Sequence, residues 1–170
     1  MKIRKVLKTD YSAIYDLVKT AFETAAVSDG MEQEFVLKLR SGDTFIPDLE
    51  FVAEDESGLT GHIMMTKQVI NTKQDAFIGV LVAPLCVKQE YRSSGIGSKL
   101  MDHACKEALK LGYKAAFLVG DPEYYKRFGY QQTSFYNIKN GTEIPDQYVL
   151  ACPLEPDALS NIQGIINIIE

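Results

Sequence analysis

Arg92, Gly95 and Gly97 stand within six residues of one another, between the apolar run Phe77 to Val87 and a segment of helical periodicity. The first N–H groups of a helix have no intrahelical partner and the macrodipole is positive there. A strand, a Gly-rich turn and a helix N-terminus therefore make a cradle for phosphate, which glycine lets approach the backbone closely. Ser94 or Ser98 can add a hydroxyl, and Ile96 lies between the two glycines. Spacing decides which ligand such a cradle serves. A nucleotide P-loop requires Gly, four residues and then Gly-Lys-Ser/Thr, but Arg92 stands five before Gly97, and Ser98-Lys99 follow it. A dinucleotide turn requires a third Gly three residues after the second, where Leu100 stands. Both readings fail, and Arg-x-x-Gly-x-Gly remains.

The elements around this loop follow from apolar patterning. Phe77 to Val87 reads as a buried strand disturbed at Pro84, which has no N–H to give to a ladder and so leaves backbone groups free near Leu85, Cys86 and Val87. Ile96, Leu100, Ala104, Ala108 and Leu111 recur at helical spacing, and Gly112 ends the helix. Ala115 to Val119, bounded by Gly112 and Gly120, reads as a strand buried on both faces. Strand, helix and strand in this order predict a right-handed parallel crossover.

Upstream, Lys2 to Leu7 forms a short strand. Thr9-Asp10 caps a helix with Ile14, Leu17, Val18, Ala21 and Phe22 on one face, and a second helix covers Asp29 to Arg40, with Phe35, Val36 and Leu39 inward and Gly42 at its end. Phe51 to Glu54 and Leu59 to Ile70 are strands joined by a polar turn, and Asn71 to Asp75 is the next turn. Downstream come a short helix from Glu123 to Phe128 stopped by Gly129, turns at Asn137 and Asn140-Gly141, and a strand over Gln147 to Cys152. The β-prone tail Ile165 to Ile169 is expected to pair with the sheet or with a second subunit, giving a homodimer. The fold class is α/β in the α+β sense: a mixed, mostly antiparallel twisted sheet with a central parallel pair, flanked by helices.

No Pro/Gly/Ser-rich linker divides the 170 residues, which predicts a single domain over 1–170. Lys plus Arg number 18 against 23 for Asp plus Glu, and the net charge of −5 argues against a general nucleic-acid binder while suiting a cationic amine. The first ten residues hold no signal-like apolar stretch and no run approaches membrane-spanning length. Three well-separated cysteines, Cys86, Cys105 and Cys152, fit a reducing cytoplasm. With only His62 and His103 and no Cys-x-x-Cys pair, no metal is expected.

In Arg92, Gly95 and Gly97, the preceding strand end, and the Tyr125-Lys126-Arg127-Phe128-Gly129-Tyr130 ending, the sequence resembles the GNAT superfamily of N-acetyltransferases over most of its length. Ala83-Pro84-Leu85-Cys86-Val87 and Gly120-Asp121-Pro122-Glu123-Tyr124-Tyr125 are similar to the bacterial branch called YhbS-like. The resemblance implies that the parallel strands splay at the cofactor site. Leu85, Cys86 and Val87 would then hold the pantetheine arm of acetyl-CoA, one of their amides polarising the thioester carbonyl. Arg92 and the stretch Ser93, Ser94, Gly95, Ile96, Gly97 and Ser98 would bind the pyrophosphate, mostly through N–H groups. Tyr125, four residues before Gly129, would give a proton to the departing thiolate; its alternative reading is a core aromatic. Two departures stand out: the ending is Gly-Tyr rather than Gly-Phe, and Gly120-Asp121-Pro122 replaces the usual Asn.

The resemblance also places the acceptor between the two early helices, where Asp29, Glu32 and Glu34 meet a cation or form a solvated helix face, with acceptor loops in residues 27–48 and 133–146. Glu54 and His62 are alternative bases for the amine, His62 having a structural reading as well, and His103 reads as solvent-facing. Cys86 reads as a small buried residue, not a nucleophile. The implied activity is direct acetyl transfer from acetyl-CoA to a primary amine on a small molecule or peptide, through a ternary complex. The alternatives are a non-catalytic acyl-CoA sensor on the same fold, or transfer of a longer acyl chain.

Overall fold

The computed structural model describes residues 1–25 and 28–168. In chain order these form β1 (Lys2–Lys5), α1 (Tyr11–Phe22), α2 (Glu32–Arg40), β2 (Phe45–Asp55), β3 (Gly58–Thr72), β4 (Ala76–Val87), α3 (Ile96–Lys110), β5 (Ala115–Val119), α4 (Pro122–Tyr125), β6 (Gln131–Gln132), β7 (Ile138–Asn140), β8 (Val149–Pro153) and β9 (Gly164–Ile166). The strands hydrogen-bond in the order β1-β2-β3-β4-β5-β8-β6, with β9 paired to β3 and β7. The β4–β5 and β7–β9 pairs are parallel. Antiparallel pairing joins β1–β2, β2–β3, β3–β9, β5–β8 and β6–β8. Two compact units are formed, Met1–Thr66 with Val82–Glu107, and Lys67–Leu81 with Ala108–Glu170.

In the first unit β2 and the start of β3 are buried on both faces. Val52 and Met64 join Ile14, Leu17, Val18 and Ala21 of α1 and Val36 of α2 in one apolar cluster that also takes in Cys86. On the other face Phe51 meets His103 of α3 edge-to-face at 4.7 Å, and Gly61 lies under Ile96 and Leu100. The expected apolar stripe of α1 is therefore the buried one. Its opening differs from expectation: the Asp10 carboxylate accepts from the Leu7 N–H at 2.8 Å and from Arg4 at 2.7 and 3.0 Å, so it fastens the approach to α1 instead of capping the helix. β2 starts six residues before the expected Phe51. Pro47, Asp48 and Glu50 break the apolar alternation, and the register with β3 shifts between Phe45 and Glu50. A bulge of this kind hides a strand from a period-two reading. Phe45 to Asp48 are thus strand, not acceptor loop.

In the second unit β5 occupies the expected span and is paired with β8 from Ala115↔Pro153 to Val119↔Val149. Parallel pairing with β4 rests on Val80↔Ala116 and Leu81↔Phe117. Gly79 permits this approach, since a Cβ there would lie 2.7 Å from the Ala115 carbonyl oxygen and from the Phe117 ring. The helix α3 ends at Lys110 and Gly112 turns the chain with φ +93°, which leaves Leu111 exposed rather than on the expected apolar face. The tail pairs with the sheet: Gly164, Ile165 and Ile166 lie opposite Thr72, Asn71 and Ile70, and β7 flanks them. Ile169 falls outside the described residues, as do Ala26 and Val27.

Candidate active site

The first unit carries the loop that the sequence singles out. β4 ends with Cys86 buried and Leu85 and Val87 half-buried, and the Lys88 N–H then donates to the Thr60 carbonyl at 2.9 Å, keeping the exit of β4 beside β3. A 3-10 turn over Gln89–Tyr91 follows, held by a 2.7 Å hydrogen bond between the Tyr91 and Ser57 hydroxyls. The backbone then takes two left-handed steps, Ser93 at φ +62° and Gly95 at φ +83°, before α3 begins. Non-glycine residues rarely adopt such a φ, so Ser93 is held there by its surroundings. The Lys99 N–H closes the first turn onto the Gly95 carbonyl at 3.1 Å. The N–H groups of Ile96, Gly97 and Ser98 come before that bond and have no carbonyl within the helix to serve. A Cβ on Gly95 would meet nothing within 4 Å, so the loop faces open space at this point. These features suit a diphosphate, which accepts from successive N–H groups and favours the positive end of α3.

Two of the expected side-chain ligands have partners within the unit. The Arg92 guanidinium donates to the Ala21 carbonyl at 2.5 Å and to the Thr24 hydroxyl at 2.8 Å, fastening the loop to the end of α1. The Ser94 hydroxyl donates to the Tyr91 carbonyl at 2.5 Å. Gly61 is a determinant that sequence reading passed over: a Cβ there would sit 2.9 Å from Leu100, 3.0 Å from Ile96 and 3.2 Å from the Cys86 carbonyl oxygen. Ile96 and Leu100 of α3 thus pack closely over this glycine, where any side chain would have to displace them. An isolated glycine inside a strand is the signal for such a close approach. Burial pushes the Cys86 thiol up to about 12, so it remains protonated and small, as expected of a packing residue.

In the second unit Tyr125 closes α4. Pro122 opens that helix and the Asp121 carboxylate caps it by accepting from the Glu123 N–H at 2.9 Å; Gly129, at φ +84°, ends the 3-10 turn after it. The Tyr125 ring lies directly over Gly120, where a Cβ would be 2.3 Å from Cε2. Tyr124 and Tyr130 meet the same ring at centroid distances of 4.9 and 5.9 Å. Burial, reinforced by Tyr124, raises the Tyr125 phenol to about 12. Tyr124 itself lies under the Arg127 guanidinium at 4.1 Å.

The expected bases divide. Glu54 is bound by Arg4 at 2.7 Å, and that hydrogen bond holds its carboxyl below the usual range. His62 is fully buried, with Nε2 2.8 Å from Glu50 Oε1. Glu50 also takes Arg40, at 2.5 Å from Nη2 and 3.1 Å from Nε, and the Arg40 guanidinium lies 4.0 Å over the Tyr11 ring. Neither Glu50 nor Arg40 was flagged by the sequence, because Glu50 meets His62 through the β2–β3 register and meets Arg40 only where α2 packs on β2. His103, expected in solvent, is packed on Phe51. Of the acidic residues expected to meet the acceptor, Glu34 accepts from the Tyr15 hydroxyl at 2.6 Å and Asp29 from the Met31 N–H at 2.8 Å. Glu32 keeps one buried carboxylate oxygen without a hydrogen-bond partner among the described residues.

The family model of the acetyltransferase (GNAT) domain matches residues 2–133. The chain belongs to this family. It is an acetyl-CoA-dependent acyltransferase by class, and the mixed sheet with its parallel β4–β5 pair is the fold of that family. The chain is similar to the uncharacterized N-acetyltransferase YhbS of Escherichia coli K12, at 29% identity over 170 residues, 98% of this chain and 95% of the relative. The crystal structure of Escherichia coli YhbS in complex with CoA superposes with TM-score 0.85 at 25% identity, covering 97% of this chain and 87% of that one. A GNAT family acetyltransferase from Brucella melitensis in complex with acetyl-CoA gives TM-score 0.78 at 26% identity, covering 99% and 95%. Among the described residues no group of three or more His, Cys, Asp or Glu side chains could hold a metal ion, and no helix is long and apolar enough to cross a membrane.

Proposed function

We propose that this GNAT member is a single-domain, cytoplasmic N-acetyltransferase that moves an acetyl group from acetyl-CoA directly to a primary amine on a small molecule or peptide. The observation that carries the reading is the loop before α3, with left-handed Ser93 and Gly95 followed by helix N–H groups free of intrahelical partners. Ser93 to Ser98 bind the pyrophosphate through backbone N–H groups. Arg92, tied to the end of α1, chiefly holds the loop's shape and adds positive charge to it. Leu85, Cys86 and Val87, past the cis Ala83–Pro84 bond, lie along the pantetheine arm. A fixed amide from this strand end aimed at the thioester oxygen lowers the barrier by about 3 kcal/mol as charge develops there.

Acetyl-CoA supplies an activated acyl carbon, and the amine attacks it without an acyl-enzyme. The C–N bond forms, the C–S bond breaks, and the electron pair leaves on sulfur. Tyr125 attends that sulfur. A phenol raised to about 12 faces a thiol whose ordinary pKa is about 8.5, so complete proton transfer costs roughly 5 kcal/mol. The Tyr125 hydroxyl therefore acts mainly by donating a hydrogen bond to the departing thiolate, which takes a proton as it leaves.

Thermal unfolding with acetyl-CoA tests the reading. At about a hundred times the dissociation constant, linkage gives roughly 2.7 kcal/mol, or a rise of about 5–10 °C for a chain of this length. Stabilisation by CoA esters but not by ATP or NAD, followed by thiol release with one amine of a panel, supports it. No stabilisation by any CoA ester refutes it.

A further inference from the structure

Arg92 stands between two helix ends of opposite polarity. In the chain it comes just ahead of α3, whose first N–H groups make a positive pole, yet its side chain reaches back seventy-one residues to the end of α1. There it serves the negative pole. In the last turn of α1 the Lys19 carbonyl accepts from the Glu23 N–H at 3.2 Å and the Phe22 carbonyl from the Ala25 N–H at 3.0 Å, whereas the Ala21 carbonyl takes the Arg92 guanidinium at 2.5 Å. The Thr24 hydroxyl takes the same guanidinium at 2.8 Å. A guanidinium has five N–H donors, and these two bonds use one hydrogen on Nη2 and one on Nη1. Its remaining hydrogens, one on Nε and one on each Nη, have no partner among the described residues. The next residue, Ser93, is the left-handed one on which the shape of the cradle turns, and the tether to α1 is part of what holds it there.

Resting on the acetyl-transfer reading, we propose that Arg92 couples the diphosphate cradle to the last turn of α1, with Thr24 as a positioning residue that acts through it. While the cradle holds no anion, the Arg92 charge is repelled by the pole of α3 and held by the pole of α1. Once the cradle holds a diphosphate, Arg92 gives it the free edge of the guanidinium and keeps the other edge on Ala21 and Thr24, so the cation is gripped from both sides. Such coupling is reciprocal: an occupied cradle fastens the end of α1, and a well-set end of α1 strengthens the cradle. The effect reaches the reacting end of the cofactor. Ala21 belongs to the apolar cluster that takes in Cys86, so the turn that Arg92 fastens is part of the wall beside the strand end assigned to the pantetheine arm. Binding energy from a part of acetyl-CoA that makes and breaks no bond thereby sets that wall.

Hydrogen exchange of the full chain with and without saturating CoA is the first test. Amides at a helix end exchange by local opening, which a ligand slows only where that opening weakens its binding. The Glu23 and Ala25 amides, bonded to Lys19 and Phe22, are expected to slow by about 5–150-fold, the usual range of coupling between sites. In Arg92→Lys a single ammonium cannot span Ala21, Thr24 and a phosphate, so at CoA saturation that slowing should disappear. The second test is calorimetry on Thr24→Val, which keeps the outline of a side chain outside the cradle and removes its hydroxyl. CoA affinity is expected to fall about fivefold. CoA that protects Ile96 to Ser98 while Glu23 and Ala25 exchange unchanged overturns the coupling and leaves the transfer reading standing. Slowing that persists in Arg92→Lys, or wild-type CoA affinity in folded Thr24→Val, does the same. A wild type that binds no CoA overturns the transfer reading, and this proposal with it.

Discussion

Substituting Gly120 by alanine tests the placement of Tyr125 without touching its hydroxyl. The backbone at Gly120 has no left-handed φ, so alanine introduces no backbone strain of that kind. Its Cβ would lie 2.3 Å from Tyr125 Cε2 and 2.8 Å from Cδ2, whereas ordinary carbon contact begins at 3.4 Å. The ring must therefore retreat by about 1 Å, against Tyr124 and Tyr130 packed around it. Overpacking of this kind costs about 1–3 kcal/mol of stability, a fall in Tm of roughly 3–10 °C. A displacement near 1 Å in a group that must meet a reacting atom costs about 10²-fold in rate. The expected outcome is kcat reduced by that order, with acetyl-CoA affinity by calorimetry within about twofold. Combining Gly120→Ala with Tyr125→Phe supplies the control, because a ring already lacking its hydroxyl has no hydrogen bond left to misplace. The double variant should be no slower than the slower single variant. Wild-type kcat in folded Gly120→Ala, or rate losses that multiply in the double variant, would refute the hydroxyl's role.

Three further outcomes follow from the same geometry. Tyr125→Phe alone should lower turnover and leave acetyl-CoA affinity nearly intact; an unchanged rate removes Tyr125 from the chemistry. Gly97→Val, on the first turn of α3, should obstruct the cradle and abolish the thermal shift by acetyl-CoA, and undiminished binding in a folded variant would sink the loop assignment. His62 is held below its ordinary pKa of about 6.5, so its neutral form contributes stability in full above that pH. The contribution is lost as pH falls through the folded value, by up to about 1.4 kcal/mol per pH unit for one proton. Burial pushes the Glu50 carboxyl up, but hydrogen bonds from His62 and Arg40 outweigh it and lower its pKa, so its own contribution is lost only as pH falls below the ordinary carboxylate value. Urea titrations of wild type and His62→Gln between pH 7 and 5 should show the slope only in the wild type; equal slopes would exclude this account.

The parts of the fold legible in the sequence were those whose signal is local. Ile96, Leu100, Ala104 and Ala108 mark the buried stripe of α3 by spacing alone, and Gly112 and Gly120 bracket β5 because each stands where an element stops. The β-prone tail announced that it would pair, but not with which strand, since β propensity carries no register. The start of β2 was hidden by Pro47 and the shift of register beside it. His103 looked like a polar residue on a helix surface because the Phe51 ring that receives it lies fifty-two positions earlier. The same limit explains Glu50: it reads as a surface carboxylate until strand pairing sets it diagonally across from His62. Around the candidate site the loop glycines were readable as motif, whereas Gly61 and Gly120 acquire meaning only from the side chains that lie over them.

β3 and β4 each begin in one compact unit and end in the other. A protease cutting at Lys73, in the exposed turn between them, would yield two pieces, and neither would hold a complete unit. The N-terminal piece would lack Val82–Glu107 and with it the loop and all of α3; the C-terminal piece would lack Lys67–Thr72, which includes the partners of β9. Each piece would supply strand edges that the other needs, so activity regained on mixing them would be true fragment complementation. The turn at Lys73 is accordingly a natural point at which to split the gene for a two-part reporter, whereas no single cut releases either unit whole.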